Sequence, residues 1–371
     1  MESNKIWLSS PHMGENELKY IQEAFDSNWI APLGSNVEGF EWDLEKYLKN
    51  DSFVSVLSSG TAALHLALIL VGVKQGDEVI CQSFTFSASA NPIVYLGATP
   101  IFIDSELETW NICPELLEKA IKDRISKGKK PKAIIAVHLY GMPYKQDEIK
   151  QIAEQYEIPV IEDAAEALGS EYKGQKCGTL GDFSVLSFNG NKIITTSGGG
   201  ALISKTEEQK KKGIFLATQA RDNAPHYQHS EIGYNYRMSN VIAGIGRGQI
   251  EVLQQRVKAR RANFEFYKQN LKSKEFSFLE EQKKFYSNRW LTCVLTTSYE
   301  SREQIRLNLE NKNIESRPLW KPLHLQPIFE NYPSYLNGVS ENLFEKGLCL
   351  PSGSNLTQND LNRIVENIRH S

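Results

Sequence analysis

The stretch IPVIEDAAEALGS, residues 158 to 170, and the stretch GDFSVLSFNGNKIITTSGGGALIS, residues 181 to 204, together decide the fold of this chain. The first is an apolar, β-rich run that ends in Glu162-Asp163. The second carries another such run, ending in Ser187-Phe188, with Lys192 four residues later and a glycine run at 198 to 200 beyond it. Near-continuous apolar runs suit strands buried on both faces, as in a parallel sheet, and polar groups at the ends of such strands face one common crevice. An acid, a hydroxyl and an amine are thereby brought to one edge. A lysine in a surface loop is the competing reading of Lys192, and its place between a β run and a Gly-rich turn argues against that.

These three groups suit pyridoxal phosphate (PLP). Its ring acts as an electron sink only while the pyridine nitrogen is protonated, and a carboxylate at a strand end, Asp163, keeps it so. Lys192 would form the Schiff base with the cofactor, be displaced by an incoming amine and then carry the proton between the two carbons exchanged. A phosphate cup is expected earlier, where FVSVLSSGTAALHLALILVGV, residues 53 to 73, reads as a strand, a tight turn and an apolar helix. The free N–H groups of a helix start bind phosphate, and Gly60 permits the close approach that Ser59, Thr61 and Ala62 would need. A plain helix cap at Ser59 or Thr61 competes with this reading. In SFTFSASANPIVYLGATPIFID, residues 83 to 104, Phe84 and Phe86 flank Thr85. An aromatic there can stack on a flat ring, and two core phenylalanines are the alternative.

Beyond this segment, β-rich runs at 53–57, 78–82, 99–103, 132–138, 158–162, 183–188 and 199–203 alternate mostly with helical or loop segments. The class is α/β, with a mainly parallel seven-stranded sheet. A long helix is expected from Ser239-Asn240, with Ile250, Leu253, Val257, Phe264, Tyr267 and Leu271 at helical spacing. It would tie a large domain over residues 1–254 to a smaller α+β domain over 255–371. Gly244, Gly246 and Gly248 fall inside this helix, and with no strand feeding them they read as close packing near a subunit boundary rather than as a dinucleotide loop.

Taken together, these motifs resemble the fold-type I PLP enzymes and, among them, the DegT/DnrJ/EryC1/StrS family of nucleotide-sugar aminotransferases. The resemblance extends to VHLYGMP at 137–143, GYNYRMSNVIAGIGRGQIEVL at 233–253, SRPLWKPLH at 316–324 and LCLPSG at 348–353, and so covers nearly the whole chain. It implies Lys192 as the Schiff-base lysine, Asp163 on the pyridine nitrogen, Phe86 on the ring, and Ser187 with Gly60, Thr61 and Ala62 on the phosphate. It places Asn235 on the phosphate of the neighbouring subunit, in a homodimer with shared sites. Glu166 stands where the family usually has Gln or His near the cofactor's phenolic oxygen, and Ser197-Gly198 stands where many members have Gly-Glu.

Within the family, NGNKIITTSGGG, WIAPLG and SRPLWKPLH look most like the 4-aminotransferases of the bacillosamine pathway. These act on UDP-4-keto-6-deoxy-N-acetylglucosamine, with L-glutamate as the default donor. A C3-keto or dTDP-linked sugar is the alternative substrate. A PLP-dependent sugar dehydratase, whose branch has histidine in place of this lysine, and a non-catalytic PLP-binding sensor are the competing functions.

The remaining polar and aromatic candidates are weighed against structural roles. His138 ends a β run and is a candidate to lie near the cofactor and contact substrate, with a satisfied core histidine as the alternative. Arg237, Arg317, Lys321 and His324 are candidates for the substrate's diphosphate or the donor's carboxylate, and Trp29 and Trp320 for its nucleotide. The 371 residues, 40% hydrophobic and 23% charged with a net charge of −3, describe an ordinary globular protein and supply no basic excess for nucleic acid. No apolar run approaches a membrane span and the start lacks a signal-peptide pattern, so a cytoplasmic enzyme is expected. Cys81, Cys113, Cys177, Cys293 and Cys349 are odd in number and far apart in sequence; they read as reduced thiols, with no metal site.

Overall fold

The structure is a computed structural model that describes residues 4–49 and 52–370. Among the described residues, a large sheet of eight strands has the order β1-β9-β8-β5-β4-β2-β3-β14. Its members are β1 (Phe53–Leu57), β2 (Glu78–Gln82), β3 (Thr99–Ile103), β4 (Ala133–Val137), β5 (Val160–Asp163), β8 (Phe183–Ser187), β9 (Gly200–Ser204) and β14 (Ser334–Tyr335). All seven runs read from the sequence are present. The eighth strand, β14, comes from the C-terminal third and pairs in parallel with β3, which enlarges the expected seven-stranded sheet by one. Two residues are too short a run to stand out in a sequence, and only their docking on β3 makes them a strand. Strand β9 is antiparallel to both of its neighbours, so β1 and β8 run with the remaining strands.

Apolar residues on both sheet faces explain the layers. One face is covered by α3 (Gly60–Leu70), α4 (Asn91–Tyr95) and α7 (Glu207–Ala217). The other is covered by α5 (Pro114–Ser126) and α6 (Gln146–Gln155) over one half, and by α2 (Ser35–Leu48) with α8 (Asn240–Glu251) over the other. A hairpin of β6 (Glu171–Tyr172) and β7 (Gln175–Lys176) pairs with β11 (Phe285–Tyr286).

The expected long helix is two helices. α8 is capped by Ser239 Oγ on the Ile242 amide and ends at Glu251; α9 (Leu253–Asn270) resumes after Val252. The glycines of α8 face α1 (Glu17–Asp26) and α2 of the same chain. A Cβ on Gly246 would lie 2.4 Å from the Phe40 ring and one on Gly248 2.6 Å from the Glu17 amide. Close packing, here against the chain's own helices, is thus their role.

From α9 onward the chain builds a second core around the antiparallel sheet β10 (Ser277–Phe278), β12 (Thr292–Leu295), β15 (Gly347–Leu350) and β13 (Arg317–Pro318). It is packed by α10 (Tyr299–Asn311) and α12 (Gln358–Arg369), with α11 (Val339–Lys346) alongside. Cys293 and Cys349, 56 residues apart in sequence, are register partners on β12 and β15 with their sulfurs 4.0 Å apart, and both are free thiols.

Candidate active site

The C-terminal ends of β4, β5 and β8 and the start of α3 enclose a cavity of about 320 Å³. Asp163 is the last residue of β5 and Glu162 its neighbour, so the period of two sends their side chains to opposite faces. Asp163 borders the cavity. Its Oδ2 accepts from Ser89 Oγ at 2.7 Å and its Oδ1 from the Ala165 amide at 3.2 Å. Burial raises its pKa above the ordinary carboxylate value, against Ser89, the Ala165 amide, Lys192 and His138. A nearby cation is what would return it to the ionised form.

Glu162 takes the opposite course. Its oxygens accept from His138 Nε2, Ser184 Oγ and the amides of Gly178, Leu180 and Gly181. Burial works to raise its pKa, but these donors outweigh it and hold the carboxyl below its usual range. His138, Glu162 and Cys177 come close enough to suggest a metal site. The Tyr144 amide donates to His138 Nδ1, so both ring nitrogens and both Glu162 oxygens already serve the protein. His138 is fully buried and stacked on Tyr144 at 4.3 Å, which makes it a core histidine and corrects its expected place beside the cofactor or substrate.

Lys192 lies in the turn after β8, its amide bonded to Asn189 O, and its Nζ is 3.4 Å from Glu166 Oε1 inside the cavity. Glu166 Oε2 accepts the Tyr140 amide at 2.7 Å. Burial raises the Glu166 carboxyl, opposed by Lys192. At the other end, Ser59, Gly60, Thr61 and Ser187 border the cavity. The Ala62 amide donates to Ser59 Oγ at 3.0 Å, so it is spent on capping α3 and not free for an anion as expected, whereas Gly60 and Thr61, in the first turn, have no preceding turn to bond. Gly200 makes this close fit possible, since a Cβ there would sit 2.4 Å from the Gly60 amide nitrogen.

Phe86 and Trp320 line the mouth with ring centroids 5.5 Å apart, and Phe84 is buried in the core. Several expected contacts lie elsewhere. Arg237 is buried against Glu41 and Val56 O. Breaking a buried ion pair costs about 3–5 kcal/mol, while a hydrogen bond to a charged ligand returns about 1.5–3 kcal/mol. Arg237 therefore stays with Glu41, which corrects its assignment to substrate. His324 is buried on Ser83 Oγ at 2.6 Å, away from the cavity, and that corrects its assignment too. Arg317 is exposed and paired with Glu315, while Trp29 and Asn235 lie outside this cavity; Asn235 pairs through its backbone with Thr218. Sequence reasoning missed Ser89, Asn189, Asn191 and Trp290, all of which border the cavity. Ser89 stood in a quoted motif, but nothing local marked it as Asp163's partner.

A half-buried lysine, a carboxylate at a strand end and an open helix N-terminus around one crevice define a PLP enzyme of fold-type I. PLP would supply the electron sink for moving an amine between two carbons; Lys192, Asp163 and the Ser59–Thr61 turn with Ser187 are the groups that would hold its aldehyde, ring nitrogen and phosphate. The model of the DegT/DnrJ/EryC1/StrS aminotransferase family matches residues 11–369. EpsN of Bacillus subtilis (strain 168) is 52% identical over 371 residues, covering 99% of this chain and 95% of EpsN. GDP-perosamine synthase of Escherichia coli O157:H7 is 38% identical over 366 residues, covering 98% and 97%. Among solved structures, Spr1654 from Streptococcus pneumoniae in its PMP form superposes with a TM-score of 0.91 at 27% identity, over 99% of this chain and 97% of that one, and it was also solved in a PLP form. The chain belongs to the DegT/DnrJ/EryC1/StrS aminotransferase family and is a PLP-dependent sugar aminotransferase.

Proposed function

We infer that this enzyme moves an amino group from L-glutamate to the C4 ketone of UDP-4-keto-6-deoxy-N-acetylglucosamine, giving the UDP-4-amino-4,6-dideoxy sugar. The observation that carries amino transfer is the convergence of Lys192, Asp163 and the start of α3 on one cavity. Lys192 is the covalent lysine and the proton carrier, Asp163 holds the ring-nitrogen proton, and Phe86 covers the ring. Gly60, Thr61 and Ser187 take the phosphate, and Glu166 faces the phenolic oxygen. The UDP-linked 4-keto sugar rests on the likeness of WIAPLG, NGNKIITTSGGG and SRPLWKPLH to one branch of the family. Such a substrate lacks the carboxylate of a keto acid, so its diphosphate and base must supply the binding that orients the ketone. The identity to GDP-perosamine synthase favours a second reading, a GDP-linked sugar.

The test is a panel of UDP-, dTDP- and GDP-linked 3-keto and 4-keto sugars incubated with glutamate, with 2-oxoglutarate as the readout. Fastest formation with the UDP-4-keto-6-deoxy-N-acetyl sugar is expected. Turnover with the GDP sugar alone replaces the carrier, and none with any sugar sinks nucleotide-sugar amination.

The working unit in this reading is a homodimer in which Asn235 of the partner subunit completes the phosphate site. In support, Asn235 is exposed outside its own cavity, and Phe25, Trp29, Ile30 and Leu33 form an exposed apolar run. Mixing a Lys192→Ala chain with an Asn235→Ala chain is expected to restore about a quarter of wild-type activity, because half the dimers are hybrids and one of their two sites is whole. A fully active monomer by light scattering refutes the shared site. Among the described residues no helix is long and apolar enough to cross a membrane.

A further inference from the structure

Lys192 is gripped by two residues distant in sequence, Glu166 and Trp290. Its Nζ sits 4.4 Å from the ring centroid of Trp290 and, on another side, 3.4 Å from Glu166 Oε1. Trp290 is 1% exposed and is held at three points: its amide donates to Asn288 Oδ1 at 2.8 Å, its carbonyl accepts from Arg260, and its indole Nε1 donates to the carbonyl of Asn191, the residue before Lys192, at 2.7 Å. The Asn288 amide group that fixes Trp290 also donates to the carbonyls of Glu166 and Leu168, at 2.8 and 2.9 Å. One buried side chain thus ties the Trp290 backbone to the loop that carries Glu166. Gly141 is part of this lock, for a Cβ there would fall 1.9 Å from Asn288 Oδ1.

We propose that Trp290 is a positioning residue for Lys192, its indole face and the Glu166 carboxylate forming a two-sided seat that holds the lysine ammonium whenever it is not bonded to the cofactor. The proposal rests on the reading of Lys192 as the covalent lysine. An ammonium is drawn to the negative face of an indole, more strongly when both are shielded from water. A free lysine has a flexible four-carbon stem. A lysine that must repeatedly leave and rejoin the same carbon gains from staying within reach of it. The seat supplies that restraint without a second covalent bond, and the Asn191 carbonyl ties the indole to the backbone of the turn it serves.

The experiment labels the full-length, cofactor-free protein with acetic anhydride and follows each lysine by peptide mass spectrometry, with exposed Lys211 as the internal standard. Trp290→Leu is expected to speed labelling of Lys192 about fivefold, whereas Trp290→Phe, which keeps an aromatic face, stays within about twofold of wild type. In the cofactor-loaded enzyme, Trp290→Leu is expected to slow single-turnover amino transfer about tenfold with both KM values within about twofold, the pattern of a lost positioning contact. A folded Trp290→Leu whose Lys192 labels at the wild-type rate overturns the proposal. Should that variant not fold, the wild-type chain grown with tetrafluorotryptophan keeps its shape while the ring loses its negative face; labelling of Lys192 is then expected to rise about twofold, and no rise overturns the seat. Borohydride reduction keeps the two ideas apart. A cofactor adduct on another lysine removes the underlying role of Lys192, while an adduct on Lys192 with flat labelling removes the seat alone.

Discussion

Lys192→Ala is expected to leave a folded protein whose amino transfer is lower by about four orders of magnitude, since a nucleophile and a proton carrier are lost together. The side chain makes one hydrogen bond, to Glu166, and lies at the cavity wall rather than in either core, so little stability depends on it. What changes is the charge around Glu166. Its carboxyl is already raised by burial, with Lys192 opposing, and without the ammonium it moves further toward the neutral acid. The check is borohydride reduction followed by peptide mapping: the wild type is expected to carry the reduced cofactor on Lys192 and the variant on no lysine. An adduct on any other lysine, or turnover within about tenfold of wild type, rules out the assigned role.

Asp163→Asn is expected to retain cofactor and lose roughly a hundredfold or more in turnover, the usual size of losing one preorganised electrostatic partner. The substitution is nearly isosteric: the amide oxygen can keep the Ala165 N–H, and the new NH2 can donate to Ser89 Oγ, whose hydroxyl turns toward Thr85 Oγ1. Geometry therefore survives while the negative charge goes. An amide cannot hold a ring-nitrogen proton as a carboxylate does. Burial already pushes Asp163 toward protonation, so the cation that binds there does the work of keeping it ionised. Turnover within about threefold of wild type, with cofactor bound, contradicts this role.

Asp163 and Glu162 show how much of the site was legible and where legibility stops. Both end the same apolar run, and alternation along a strand sends them to opposite faces. Which face is the crevice follows only from where Lys192 and α3 come to rest. Ala62 makes the same point at smaller scale, because its amide is available to an anion or spent on a cap according to the rotamer of Ser59.

Short-range chemistry was readable in the chain by itself: buried strands with polar ends, a glycine-backed turn behind Lys192, and a helix start at Gly60. Each depends on residues within a few positions of one another, and so do the seven long strands of the large sheet. Contacts across long loops were decided by the tertiary structure alone. Arg237 looked like a free cation until Glu41, 196 residues away, took its charge, and His324 looked like a ligand group until Ser83, 241 residues away, claimed its ring. The same applies to Trp290 beside Lys192 and to the two-residue strand β14 on β3. A side chain's local surroundings set which bonds it is able to make; which partner is present depends on chain closure over hundreds of residues, and in a buried setting the partner that arrives determines whether a charge is structural or left for substrate.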